Sequence, residues 1–137
     1  MPSPGLCTED EIRTLVHAFY ARVRADPSLG PIFDRHVDDW DAHLSKLCDF
    51  WSTVLRGTAR FSGAPMPKHA RLPGLSVDLF AHWLALFRQT ADEQANREMA
   101  RQATAAAQRI ARSLWLGYQA VNAPDRMPAD LPTPAAS

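Results

Sequence analysis

The stretch Thr8-Glu-Asp-Glu-Ile-Arg-Thr-Leu-Val-His-Ala-Phe-Tyr-Ala-Arg-Val-Arg-Ala-Asp26 predicts the first helix of an all-α fold. Thr8 and Glu11 form a capping-box pattern, in which each side chain can accept from the other residue's backbone N–H. The apolar residues that follow recur with helical spacing, as one stripe: Ile12, Leu15, Val16, Phe19, Tyr20 and Val23. Asp26 precedes Pro27, and a residue before proline disfavours the helical conformation. We therefore predict that this helix ends near Asp26.

Three further helices are predicted from the same kind of pattern. Their starts are placed at Asp38 or Asp39, at Ser76, and at Asp92 or Asn96. The second helix should end at Gly57, since glycine is favoured just past a helix C-terminus. The link over residues 27–33 is rich in turn-forming residues and is predicted to hold little regular structure. No strand-like alternation occurs, so the predicted fold class is all-α.

Length and composition restrict the class of protein. The 137 residues suit one domain, and 15 Lys and Arg balance 15 Asp and Glu, with no basic block. A nucleic-acid or membrane partner is therefore not expected, because either would call for a basic patch. The sequence shows no signal peptide and no apolar run of about 20 residues, which predicts a cytoplasmic protein. Cys7 and Cys48 form no CxxC pair and are expected to be reduced thiols.

One histidine stands in a proline-rich run between two helical patterns. The run is Gly63-Ala-Pro-Met-Pro-Lys-His69-Ala-Arg-Leu-Pro73, and a short helical turn over residues 66–72 fits within it. Long connections in compact domains are often functional, and imidazole is a common ligand of haem iron. A histidine in such a run can equally be solvated or cap a helix. His69 alone therefore leaves both interpretations open.

Three residues with polar tips fall on otherwise apolar helical faces: Tyr20, His43 and Trp83. Each also has an ordinary explanation, as a core-edge tyrosine, a surface histidine and core bulk respectively. Other metal sites are disfavoured, because the five histidines form no HExxH motif and no Cys/His zinc spacing. His82 is next to Trp83 and so points away from the same face by about 100°. We predict that His82 is a surface or interface residue.

Taken in order, these segments resemble the truncated haemoglobins, and specifically their group III. The matching segments are 18–26, 29–33, 40–43 through 50–51, 67–73 and 80–87. A histidine on the second helix, and a lone Gly57 in place of a Gly-Gly pair after it, both favour group III. The resemblance covers about residues 9 to 120, within a globin domain that we place over residues 1–121. The proline-rich composition of residues 122–137 predicts a disordered tail.

The resemblance implies a two-over-two helical sandwich around haem b. His69 would be the proximal iron ligand, and Tyr20, His43 and Trp83 would be the polar residues of the distal pocket. Apolar contacts to the haem would come from six residues: Phe33, Leu47, Trp51, Leu72, Phe80 and Phe87. Lys68 and Arg71 lie near His69 in sequence, but the partners of the haem propionates are not specified by it.

Function follows from the donors in this pocket. Two hydrogen bonds to a partly negative bound oxygen would slow its release, which suits redox chemistry better than O2 transport. The expected ligands are O2, NO and CO, with peroxide as a further substrate and a separate reductase as electron source. The chemistry would be NO detoxification or a peroxidase-like reaction. Two alternatives remain: storage or sensing of O2 or NO without turnover, and a haem-free helical interaction module.

Overall fold

Five helices make up the part of the chain that the structure describes. A computed structural model describes residues 2–61, 75–125, 127 and 130–131. The helices are α1 (Glu9–Ala25), α2 (Gly30–His36), α3 (Trp40–Arg56), α4 (Val77–Asp92) and α5 (Arg97–Asn122). These ranges contain no strand, so the all-α prediction is confirmed. None of these helices is long and apolar enough to cross a membrane.

Each long helix begins at a capping residue that the sequence predicts. Both halves of the capping box form at Thr8, and Asp39, Ser76 and Asn96 each accept from a backbone N–H three residues on. These bonds satisfy N–H groups that have no partner within the helix. Gly57 ends α3 with a φ of 71°, a left-handed conformation that favours glycine.

The link after α1 differs from its prediction. Instead of irregular structure, it forms the seven-residue helix α2. Pro31 stands in the first turn of this helix, where its missing N–H costs nothing and its fixed φ suits the helix. Gly30 packs so closely that an added Cβ would lie 2.6 Å from the backbone oxygen of Arg24. The turn-forming residues of this link therefore serve a tight corner between two helices.

The four long helices pack as two pairs, one across the other. α1 packs on α3 and α4 packs on α5, while α1 also contacts α4 and α3 contacts α5. All six apolar positions of the α1 stripe are buried. In the centre, Phe87 lies 4.9 Å from Phe19 and stacks 5.1 Å from Trp51, between ring centroids. This is the predicted two-over-two arrangement.

A partly buried polar contact joins α1 to α3. The hydroxyl of Ser52 is fully buried and donates to Glu9 Oε2 at 2.8 Å. The Arg56 guanidinium donates to the same oxygen. Burial alone would raise the pKa of Glu9, but the hydrogen bonds from Ser52 and Arg56 and the nearby charge of Arg60 outweigh it and hold this pKa below its ordinary value.

Candidate functional site

An apolar cavity lies beside α1, between α2, α4 and α5. Its empty space, together with the open solvent at its mouth, is about 570 Å³. The lining residues are Tyr20, Leu29, Ile32, Phe33, Leu75, Leu79, Phe80, Trp83, Ala111 and Leu114. Among the described residues, α2 packs on α1 but not on α4 or α5. The cavity exists because these walls stand apart.

Tyr20 and Trp83 supply polar groups to this apolar lining, and they are hydrogen-bonded to each other. Both rings pack edge-on against Phe19, at 4.8 and 5.3 Å between centroids. A hydrogen bond between the two side chains lowers the pKa of Tyr20, and in it the indole N–H can only donate. Tyr20 Oη is therefore the acceptor. Burial raises the pKa of Tyr20 strongly, and the bond from Trp83 offsets only part of that rise. Tyr20 consequently remains a neutral phenol with its own hydroxyl hydrogen to donate.

Other aromatic rings surround Tyr20 on the side of α2 and α3. Its ring centroid lies 5.9 Å from that of Phe33, 6.3 Å from that of Trp40 and 6.3 Å from that of His43. Trp40 in turn lies under the guanidinium of Arg24, 4.5 Å away. The structure thus brings His43 to the neighbourhood of Tyr20. Trp40 belongs to the same group of rings.

The predicted site residues fall into three groups. Tyr20, Trp83, Phe33 and Phe80 line the cavity. Four others do not line it: Trp51 and Phe87 stack in the central core, Leu47 is half-buried against that core, and His43 lies beside Tyr20. The predicted iron ligand His69 and haem contact Leu72 lie outside the described residues, as does the predicted turn over residues 66–72.

Six cavity-lining residues were not predicted as site residues: Leu29, Ile32, Leu75, Leu79, Ala111 and Leu114. Leu79 and Leu114 are apolar positions of α4 and α5, but periodicity cannot say whether such a helix face meets another helix or a cavity. Leu29 and Ile32 fall in the link where no helix was expected. Ile32 could have been predicted from its neighbour Phe33, which the resemblance implied as an apolar contact of the haem.

A carboxylate at the end of α1 joins two walls of the cavity. Asp26 Oδ1 accepts from the backbone N–H groups of Ser28 and Leu29, each at 2.9 Å. Asp26 Oδ2 lies 2.5 Å from His82 Nε2 on α4. The hydrogen bond from the Leu29 backbone lowers the pKa of Asp26 against the opposing effect of burial. The His82 side chain and the Ser28 backbone lower it further. His82 is half-buried, and its prediction as a surface or interface residue misses this contact.

Comparisons with known proteins agree with this architecture. A family model described as bacterial-like globin matches residues 5–114. A group 3 truncated hemoglobin of Campylobacter jejuni is 35% identical over 95 residues, which cover 66% of this chain and 75% of that protein. The crystal structure of a group III truncated hemoglobin from Campylobacter jejuni superposes with a TM-score of 0.72 at 33% identity, covering 83% of this chain and 92% of that one.

Proposed function

This chain belongs to the bacterial-like globins, and among them to the group III truncated haemoglobins, and we propose that it binds haem b and performs redox chemistry on a gas bound beside Tyr20. Globins bind haem and, through it, small diatomic ligands. The chemistry of the cavity supports the type of haem, the residues that hold it and the reaction.

The cavity has the character that a porphyrin needs. Its lining is apolar except at a few side-chain tips, and one side is open, which suits a flat cofactor with an apolar body and a polar edge. Phe33 from α2 and Phe80 from α4 would contact the face or the edge of the porphyrin. His69 would supply the proximal nitrogen. Leu72 would be a further apolar contact of the haem. Leu47, Trp51 and Phe87 would support the cavity wall from the core, where Phe87 stacks on Trp83.

The observation that carries the proposal is the pairing of Tyr20 and Trp83 at the cavity wall, where both rings also pack edge-on against Phe19. Ferrous haem, when bound, supplies an iron that holds a diatomic gas and places partial negative charge on it. Because Tyr20 accepts from Trp83, its own hydroxyl hydrogen is directed elsewhere and can be donated to that charge. A donor that also accepts is polarised and strengthened by the first bond. Trp83 thereby strengthens the hydrogen bond from Tyr20 to the gas. If its indole turns, it can donate a hydrogen bond to the gas directly.

These donors favour retention of the gas over rapid release. A hydrogen bond with a charged partner contributes about 1.5–3 kcal/mol. A bond of that strength slows dissociation by about tenfold to a hundredfold, since 1.4 kcal/mol is about tenfold. The apolar lining excludes water that would compete for the same donors. A protein that holds O2 so long is suited to react with it rather than to transport it.

The favoured reaction is the oxidation of NO by bound O2. NO, O2 and one electron together give nitrate, so continued turnover needs an external electron donor, which we assign to a reductase. Peroxide cleavage is the second candidate, and the position of His43 favours it. That imidazole lies beside the phenol of Tyr20 and can take up and return a proton.

The experiment mixes oxygenated protein with NO in a stopped-flow instrument and measures nitrate, with and without a reductant that regenerates the ferrous state. We expect one nitrate per chain without reductant and many with it. A single stoichiometric reaction under both conditions would instead favour storage or sensing. If NO leaves the oxygenated protein unchanged while added peroxide is consumed, the peroxidase-like reaction replaces NO oxidation.

A further inference from the structure

The corner after α1 is connected to α4 by a single carboxylate. Both Asp26 oxygens are used: one accepts from the backbone at the start of α2, and the other bonds to His82 on α4. The Asp26 side chain is only 11% exposed, so the carboxylate end of these bonds is largely shielded from water. The carboxylate is therefore a rigid connection between two elements that do not pack on each other.

The two elements joined in this way are opposite walls of the cavity. Leu29, whose N–H bonds to Asp26, is buried and begins the wall that continues to Phe33. His82 directly precedes Trp83, which lines the other wall and, like Tyr20, packs edge-on against Phe19. The corner itself cannot shift easily, because Gly30 packs against the backbone of Arg24 without room for a Cβ. A movement at His82 is therefore passed to α4 and to Trp83.

We propose that Asp26 and His82 are a positioning pair that fixes α4 at the separation from α2 at which the Trp83 indole reaches Tyr20. The inference rests on the proposed role of Tyr20 and Trp83 in holding the gas. Hydrogen bonds weaken steeply with distance and angle, so a displacement of a few tenths of an ångström at Trp83 is enough to weaken its bond. The pair acts through Trp83 and does not touch the gas.

The simpler alternative is that the pair is a surface contact that contributes only to the stability of the fold. His82 is 41% exposed, and pairs with an exposed partner contribute little to stability. The two functions differ in which property a substitution changes. A stabilising contact alters the free energy of unfolding and leaves the distal pocket unchanged, whereas a positioning pair alters the pocket and does so only while Trp83 can donate.

The test is a double-mutant cycle between His82→Leu and Trp83→Phe on the haem-loaded protein. The readouts are the O2 dissociation rate and the C–O stretching frequency of the carbon monoxide complex, which reports the polar field at the ligand. His82→Gln keeps a donor for Asp26 and serves as the rescue variant. His17→Leu, at an exposed position of α1, is the matched control. Asp26→Asn is the second variant should His82→Leu fail to fold.

We expect His82→Leu to raise the dissociation rate by about threefold to tenfold, within the effect of losing one hydrogen bond, and to shift the C–O frequency in the same direction as Trp83→Phe. In the Trp83→Phe background the second substitution should add nothing, and His82→Gln should behave as wild type. Additive effects, or an unchanged rate and frequency in His82→Leu, would overturn the positioning function while the proposed function stands. If Trp83→Phe and Tyr20→Phe also change nothing, the proposed function fails with it.

Discussion

Tyr20→Phe is the substitution that most sharply probes the distal pocket. It removes one hydroxyl and keeps the ring that packs against Phe19 and Phe33. Because the side chain is buried, the loss of ring packing should be small and the loss of the hydroxyl should dominate. The variant loses the donor to the gas and also the acceptor for Trp83.

The magnitude follows from these two losses. A donor to a charged ligand contributes about 1.5–3 kcal/mol, which is about tenfold to a hundredfold in the O2 dissociation rate. Against this, the indole of Trp83 loses its acceptor and becomes free to turn toward the gas. We therefore expect an increase near the lower end of that range, about tenfold. Trp83→Phe together with Tyr20→Phe should reach the upper end.

The assay is stopped-flow displacement of O2 by CO, with Tyr118→Phe as the control, since Tyr118 is the only other tyrosine of the chain. Circular dichroism establishes that each variant is folded. The reasoning is refuted if Tyr20→Phe is folded and haem-loaded and still releases O2 at the wild-type rate. In that case the stabilising donor would be Trp83 or His43.

Three further predictions concern the fold that holds the site. Glu9 and Asp26 have pKa values below the ordinary 4.5 and 3.8, so their contribution to stability is complete above those ordinary values and is lost as the pH falls through the lowered ones. The gap in free energy of unfolding between wild type and Glu9→Gln, measured with urea, should therefore shrink as the pH is lowered through this window. A gap that stays constant would contradict this prediction. Gly30→Ala must displace the Arg24 backbone and should cost about 1–3 kcal/mol and speed haem loss to apomyoglobin, whereas Gly5→Ala, with ordinary contacts, should do neither. Gly57→Ala, at a φ of 71°, should lower the free energy of unfolding by about 1–2 kcal/mol without changing the O2 dissociation rate, and an unchanged unfolding midpoint would contradict it.

Local sequence signals were sufficient for the long helices. Thr8, Ser76 and Asn96 act as caps because a hydroxyl or amide there satisfies free backbone N–H groups, a property of a few adjacent residues. The stripe of α1 is buried at every predicted position because its period matches the helix. Where a preference is local and repeated, the sequence alone predicts the element.

The corner and the cavity required tertiary information. The link that forms α2 carries Pro and Gly, which favour turns, and its helix is supported by Asp26 and by packing on α1. The Tyr20–Trp83 bond and the Asp26–His82 bond each join residues of different helices. The spacing of residues along the chain does not predict a contact of this kind. The resemblance identified Tyr20 and Trp83 as neighbours, but it did not indicate which of them donates to the other.

The most direct measurement of the central claim is a titration of the purified protein with haem, followed by its absorption spectrum, in wild type and in His69→Ala. The account predicts that wild type takes up one haem per chain with a Soret band typical of histidine ligation. It predicts that His69→Ala loses that spectrum and recovers it when imidazole is added. A wild-type protein that takes up no haem, or a His69→Ala protein with an unchanged spectrum, would contradict it.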